Sequence, residues 1–463
     1  MGSEVKRIPV FRRILHGFFS VGIDKAYTVM YNGRTNIRES RCTHMSEKMN
    51  LIPAASSSAW TTYTPSFKQY ADFSANEENN TLSIRINNPQ VYAVGKWETV
   101  IDIQPGWYDF SVRCHSAEHE TDLWVLYTVY KANGSMIIRD HARYAEKTED
   151  GYIFSDKVDV AEEGVRLRVE LYLKGYVADA TWEVPVLTAG EAPAARPVTI
   201  ALGYFRGRGD STDAHVERIL EIIDKCAATK PDVVVLSESM YGRGLVMTYP
   251  ERSETLDGPI ISKVRAKAAE HHTNIIYNFV ENKDTEYYNS SAIIDRAGNV
   301  VGTYHKTHLT VGEIEHGLTP GHEHPVFDLD FGRIGTLTCF DQYFSAPAAD
   351  LIQKGAEIIF VPTAGDAREK STAHAIFGGV YMAIAGNGSS PTYEKYPWEG
   401  WKPARIIDPN GIVLADTNED MSVASCTIDL SKKTRVWWLS VGPAAADCHG
   451  VYRFEKNPKS YKL

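Results

Sequence analysis

The feature that most constrains the fold is a change of patterning near residue 190. Before it, apolar and polar residues alternate with a period of two. Tyr108, Phe110, Val112 and Cys114 fall on one face of a strand, with Asp109, Ser111 and Arg113 on the other. Val165, Leu167, Val169, Leu171 and Leu173 alternate with Arg166, Arg168, Glu170, Tyr172 and Lys174 in the same way. With turn signals such as Gln104-Pro105-Gly106, this predicts antiparallel β structure, an antiparallel β-sandwich of jelly-roll type over residues 50–190.

After a small-residue, Pro-rich linker (residues 188–197), the pattern becomes strand, helix, strand. Residues 198–202 form an apolar strand. Val216, Ile219, Leu220, Ile223 and Ala227 recur at helical spacing, and 233–236 is a short buried strand ending at Ser237-Glu238. A second helix near 260–272 precedes a strand at 274–279. Such alternation predicts an α/β fold. The length of 463 residues fits two or three domains.

Composition narrows the function classes. A formal charge of −10 argues against broad attraction to nucleic acid or an anionic membrane, so neither is an expected partner. No run of about 18 apolar residues predicts a membrane helix. Basic residues precede an interrupted apolar stretch at 14–23. Residues 1–49 therefore read as an N-terminal arm, with a signal peptide as the lesser reading. Cys42, Cys114, Cys226, Cys339, Cys426 and Cys448 are scattered without close pairs, as expected of free thiols in a reducing compartment, the cytoplasm.

Three segments of the second half carry chemistry. Glu238 stands at the carboxyl end of a buried strand, where open α/β sheets hold their ligands. Lys306 lies in a turn after the strand pair 291–295 and 300–304. Cys339 ends the apolar strand 334–338 and opens a polar, helix-starting stretch, a place where a nucleophile is held rigidly beside free N–H groups. Separately, each has an ordinary reading: a solvated carboxylate, a surface lysine, a buried structural thiol.

Together, in the order Glu238, Lys306, Cys339, they resemble the nitrilase superfamily of carbon–nitrogen hydrolases. The resemblance covers roughly residues 197–430 and includes Pro320-Gly321, the Cys339-Phe340-Asp341 elbow, Gly355, residues 361–364 and residues 373–381. It implies a four-layer αββα sandwich assembled as a homodimer or larger homo-oligomer, with residues 431–463 a tail for oligomer contacts. It also implies a small-molecule, amide-like substrate, with no metal or cofactor.

On that resemblance Cys339 attacks the carbonyl carbon and Glu238 moves protons. Lys306 and the backbone N–H of Phe340 stabilise the oxyanion. A second glutamate follows the lysine in such proteins. Glu313 and Glu315 both qualify, and the seven-residue offset of Glu313 is preferred. Phe344-Ser345-Ala346, Ala349, His374 and Phe377 depart from the family pattern and imply a divergent branch. Phe340-Asp341 favours amidase and carbamoyl chemistry over nitrile cleavage. A catalytically silent ligand-binding protein is the alternative of a different class.

Two other features compete for a role. His305, His308, His316, His322 and His324 crowd one stretch, but their spacing matches no compact metal motif. Trp97, Trp107, Trp124 and Trp182 read as sandwich core before they read as a sugar-stacking face.

Overall fold

A computed structural model describes residues 49–205, 211–365, 367–387, 403–438 and 444–456. The expected arm lies outside them except for Met49.

Two antiparallel sheets build the first half. One has the order Thr61–Tyr63, Ala93–Asp102, Gly164–Gly175, Leu123–Lys131, Met136–His141. The other runs Ala71–Asn76, Thr81–Asn87, Val177–Glu183, Gly106–His115, Gly151–Val160, Tyr144–Lys147, with Val186–Ala189 also paired to Gly106–His115. Alternation explains the core. Leu167, Val169, Leu171 and Leu173 from the first sheet share one cluster with Phe110, Val112 and Cys114 from the second. Each fully buried Val or Leu contributes about 1.5–3 kcal/mol.

Val165, expected on this inner face, is instead exposed. The ladder register shifts between Gly164 and Arg166, and that irregularity turns the side chain outward. Trp182 and Trp97 are core residues. Trp124 lies on the outer face, where its indole N–H donates to the Phe454 carbonyl at 2.8 Å.

The C-terminal segment returns to this sandwich. Arg435–Trp438 and Ala444–Asp447 form a hairpin that extends the first sheet beyond Met136–His141. Buried Asp140 accepts from Arg435 and from the Asp447 N–H at 2.9 Å, while Lys433 pairs with Asp156 at 2.7 Å. Helix Cys448–Glu455 then seats Phe454 in the sandwich core. Over its described residues the tail is thus packed on its own chain. The reason is physical: an uncovered edge strand at Met136–His141 would expose a row of unpaired backbone groups.

The second half carries two sheets. The first has the order Val300–His305, Glu286–Ile294, Asn274–Lys283, Val233–Leu236, Pro197–Tyr204, Ser422–Asp429. The second runs Val326–Leu329, Gly332–Thr336, Ile358–Thr363, Tyr381–Gly386, Ala404–Ile407, Val413–Thr417. In each, the central strands are parallel and buried on both faces, hence the unbroken run Val233-Val234-Val235-Leu236.

Alternate residues of that strand go to different cores. Val233 and Val235 join Ile200, Leu202 and Ile276 against Ile334, Ile358 and Phe360 of the other sheet. Val234 and Leu236 join Ile219, Ile222 and Ile223 of helix Thr212–Ala227 and Val264 of helix Pro259–His271. Ser211 caps the first of these helices by accepting from the Ala214 N–H. On the far side, Leu351 and Ile352 of helix Ser345–Gln353 and Ala375 of helix Glu369–Gly378 pack on Ile359 and Met382. Among the described residues, no helix is long and apolar enough to cross a membrane.

Candidate active site

Strand ends and tight turns bring the polar residues together. Val233–Leu236 delivers Glu238 just past its carboxyl end. There Ser239 takes a left-handed φ of 46° and donates its N–H to Asn278 Oδ1 at 2.8 Å. Lys306 follows Val300–His305, and its backbone N–H donates to the Asn289 carbonyl at 2.9 Å. The turn that ends at Gly321 lies so close to His305 that an added Cβ would stand 2.2 Å from the His305 carbonyl oxygen. Only glycine fits this approach.

Lys306 is 1% exposed and its ammonium meets two carboxylates. Nζ lies 3.2 Å from Glu238 Oε1 and 2.8 Å from each oxygen of Glu313. Glu313 is placed by a capping box at the start of Val311–Glu315, where Thr310 and Glu313 exchange side-chain-to-backbone hydrogen bonds. Glu315, the other candidate, is exposed.

Glu238 is also held from two further sides. The Asn289 amide donates at 2.9 Å to Glu238 Oε1 and at 2.9 Å to Glu313 Oε1. The Ala364 N–H donates to Glu238 Oε2 at 2.9 Å.

Cys339 follows Gly332–Thr336 at a sharp bend with φ of 46°, at the start of the short 3-10 helix Cys339–Tyr343. A non-glycine residue in this region carries strain, and the neighbouring contacts hold it there. Asp341 closes the turn by accepting from the Thr338 N–H at 2.9 Å. The Phe340 N–H belongs to the first turn of this helix, where amides lack intrahelical partners. Phe340's ring packs against Tyr343 and Phe344.

The charges are interdependent. Burial pushes the Cys339 thiol up to about 11, and Glu238 pushes the same way. Lys306, Thr363 and the Ala364 N–H partly oppose them. Burial alone would raise Glu238. Instead Lys306 and Arg243, with hydrogen bonds from Asn289 and Cys339, hold it below the usual carboxylate range. Burial works against the Lys306 ammonium too, but Glu238, Cys339 and Glu313 keep it above the ordinary lysine value. The resting arrangement is therefore a thiol, an ionised Glu238 and an ammonium. That set can move a proton from sulfur to carboxylate while a cation faces developing negative charge.

The structure brings Glu238, Lys306, Glu313 and Cys339 into one cluster, with Phe340 adjacent to the thiol-bearing residue. Reasoning from sequence missed Asn289, Asn278 and the Ala364 N–H. The run Asn289-Ser290-Ser291 inside the otherwise buried strand Glu286–Ile294 was the available signal. Polar residues at buried strand positions require partners.

Of the crowded histidines, His305, His308, His316 and His324 are engaged by carboxylates, a carbonyl and, for His308 and His324 together, the Thr307 hydroxyl. His305 meets Glu281 at 2.9 Å, His308 meets Asp341 at 3.0 Å, and His324 meets Asp350 at 3.2 Å. His316 contacts the Gly312 carbonyl at 2.6 Å. Among the described residues, Asp224, Glu270 and His271 alone cluster with metal-like spacing, and Lys267 already occupies Asp224 at 2.7 Å.

Comparison with known proteins finds relatives for the second half of the chain. The carbon-nitrogen hydrolase family profile matches residues 208–436. A "Probable nitrilase" of Schizosaccharomyces pombe is 32% identical over 183 residues, covering 38% of this chain and 66% of that protein. The omega-amidase of Homo sapiens is 25% identical over 238 residues, 48% of this chain and 85% of that protein. An N-carbamoylputrescine amidase of Arabidopsis thaliana is 37% identical over 110 residues, 23% of this chain and 37% of that protein. Other relatives, a Drosophila melanogaster nitrilase fusion protein and a Pseudomonas protegens hydrolase, are spanned over 54% and 50% of their length. Nit3 of Saccharomyces cerevisiae, a solved structure, aligns with a TM-score of 0.44 at 18% identity, over 52% of this chain and 93% of that one. Through residues 208–436, the chain belongs to the carbon-nitrogen hydrolase family of the nitrilase superfamily.

Proposed function

We propose that this chain hydrolyses a non-peptide C–N bond of amide or carbamoyl type through a thioester on Cys339. The observation that carries the reading is the Lys306 ammonium at hydrogen-bonding distance from both Glu238 and Glu313, beside the Cys339 thiol that hydrogen-bonds Glu238. The names of two relatives, an omega-amidase and an N-carbamoylputrescine amidase, point to the same bond class.

In the reaction Glu238 takes the Cys339 proton as sulfur bonds to the carbonyl carbon. Lys306 and the Phe340 N–H face the oxyanion. Glu238 passes the proton to the departing nitrogen, the C–N bond breaks, and ammonia or an amine leaves. A water then gives its proton to Glu238 and its oxygen to the thioester carbon, releasing the acid and restoring the thiol. Glu313 orients Lys306.

The same reading includes the four-layer αββα arrangement of the family, a jelly-roll-type sandwich before it, and assembly as a homo-oligomer. The experiment is ammonia release from a panel of simple amides by the full chain and by Cys339→Ala. Loss of turnover in the variant is expected. Undiminished turnover would overturn the proposal.

A further inference from the structure

A buried carboxamide sits where the bend of Cys339 meets the end of strand Ile358–Thr363. Gln342 has no exposure to solvent and lies three residues after the thiol on the same short helix. Its Nε2 donates to the Cys339 carbonyl at 2.9 Å, and lies 3.2 Å from both the Thr363 hydroxyl and the Gly365 carbonyl. Its Oε1 accepts from the Ser371 hydroxyl at 2.7 Å and from the Ala367 N–H at 3.4 Å. We propose that Gln342 is a positioning residue, which aims the Thr363 hydroxyl at the Cys339 sulfur and holds the bend that presents that sulfur. This inference rests on the thiol-hydrolase reading above and adds two residues to that site.

The partners fix which way the amide faces. The carbonyls of Cys339 and Gly365 only accept, and the Ala367 N–H only donates, so nitrogen faces the first two and oxygen the third. Helix Glu369–Gly378 braces this frame from behind. Ser371 reaches the side chain, and His374 donates from Nε2 to the Gln342 backbone carbonyl at 3.0 Å. Burial holds His374 below its ordinary value, so a neutral ring makes that donation.

Two consequences reach the sulfur. Cys339 is held at a φ of 46°, and the Gln342 amide fixes the carbonyl of that strained residue. Thr363 Oγ1 receives the Gly365 N–H at 3.0 Å besides facing the Gln342 amide, which leaves its single proton to donate. Two acceptors lie in reach of that proton, the Gly365 carbonyl and the Cys339 sulfur. As Glu238 takes the thiol proton, the thiolate becomes the stronger acceptor, and the hydroxyl turns to it. The Ala364 N–H, next along the chain, faces both Glu238 Oε2 at 2.9 Å and the sulfur. Gln342 therefore also sets the spacing of carboxylate and thiol.

The experiment is a double-mutant cycle in the full chain. Gln342→Met keeps the side chain's bulk without its hydrogen bonds, and Thr363→Val removes only the hydroxyl. Turnover of the best amide of the panel and the rate of Cys339 alkylation by iodoacetamide at pH 9 are read for the parent, both single variants and the double. Each single variant is expected to lower kcat about 10- to 100-fold, the worth of one hydrogen bond to a charged group, with KM changed less than about 3-fold. Alkylation should slow in both. The double variant should be no slower than Gln342→Met alone, because both changes act through one hydroxyl. If Gln342→Met does not fold, Ser371→Ala, which removes one donor to Oε1, takes its place in the cycle.

Losses that multiply in the double variant would overturn the inference, as would unchanged kcat in Gln342→Met or a KM that rises as far as kcat falls. Turnover that still depends on Cys339 would then leave the hydrolase reading standing. If instead Cys339→Ala retains turnover, or no amide is cleaved, the hydrolase reading is wrong. Slowed, non-additive alkylation would then still uphold the role of Gln342 at the sulfur, and parental alkylation rates would refute it.

Discussion

Asp341 accepts a hydrogen bond from the backbone N–H of His308 at 2.9 Å, and so ties the turn that carries Lys306 to the bend that carries Cys339. The same carboxylate accepts from Tyr304 at 2.6 Å and from the Thr338 N–H at 2.9 Å, with no exposure to solvent. One side chain thus fixes the distance between ammonium and thiol. Replacing it leaves several buried donors unpaired, at about 1–3 kcal/mol each. Asp341→Ala should lower stability by about 3 kcal/mol or more and slow alkylation of Cys339 by iodoacetamide. Denaturant melts and labelling rates read these, and a variant with parental stability would refute the tie.

Asn289 provides a second constraint of this kind. Its amide nitrogen bridges Glu238 and Glu313, while its oxygen accepts from Asn278 at 2.9 Å. Asn289→Asp removes the donor and sets a third negative charge beside two others. Activity should fall more than about 100-fold, with Asn289→Ala less damaging because no repulsion is added. Equal losses in the two variants would argue that only the hydrogen bonds matter.

How much of this was legible in the sequence differs by element. Strand Val233–Leu236 and the strand-ending positions of Glu238 and Cys339 could be read because burial on both faces forces an unbroken apolar run. The return of Arg435–Asp447 to the first sheet could not. Asp140 and Asp156, its ion-pair partners, sit 277 or more residues upstream of Lys433 and Arg435, and nothing local announces such a pairing. Val165 looked inward because alternation assumes an unbroken register. Asn289 was overlooked because its partners are the catalytic candidates themselves, which converge only after folding.

Titration follows from the shifted groups. Glu238 is depressed, so its contribution to stability is present above the unfolded value of about 4.3 and is lost as pH falls through the lower folded value. Lys306 is raised, so its contribution is full below about 10.4 and is lost only as pH rises through a still higher value. On the proposed mechanism Glu238 must be ionised and Cys339 must hold its proton, which comes off at about 11. The kcat/KM profile should therefore be flat between about pH 5 and 9, falling on the acid side as Glu238 protonates. A bell centred near neutrality would mean that a group other than Glu238 and Cys339 governs the chemistry instead.

The tail supplies the last prediction. Asp140 is fully buried and serves Arg435, Lys433 and the Asp447 N–H at once, while the pairing of Tyr127 with Asp156 at 2.8 Å extends the network. Removing one partner from a buried pair leaves its neighbours as uncompensated charges, which costs about 3–5 kcal/mol. Asp140→Ala should therefore lower the melting temperature by more than a surface charge deletion such as Asp159→Ala. Because the pairs release the tail when broken, limited proteolysis of Asp140→Ala should cut first after Lys432 or Lys433, exposing the edge of Met136–His141. A variant that melts with the parent and resists cleavage there would show that the hairpin is held by Phe454 in the sandwich core rather than by its ion pairs.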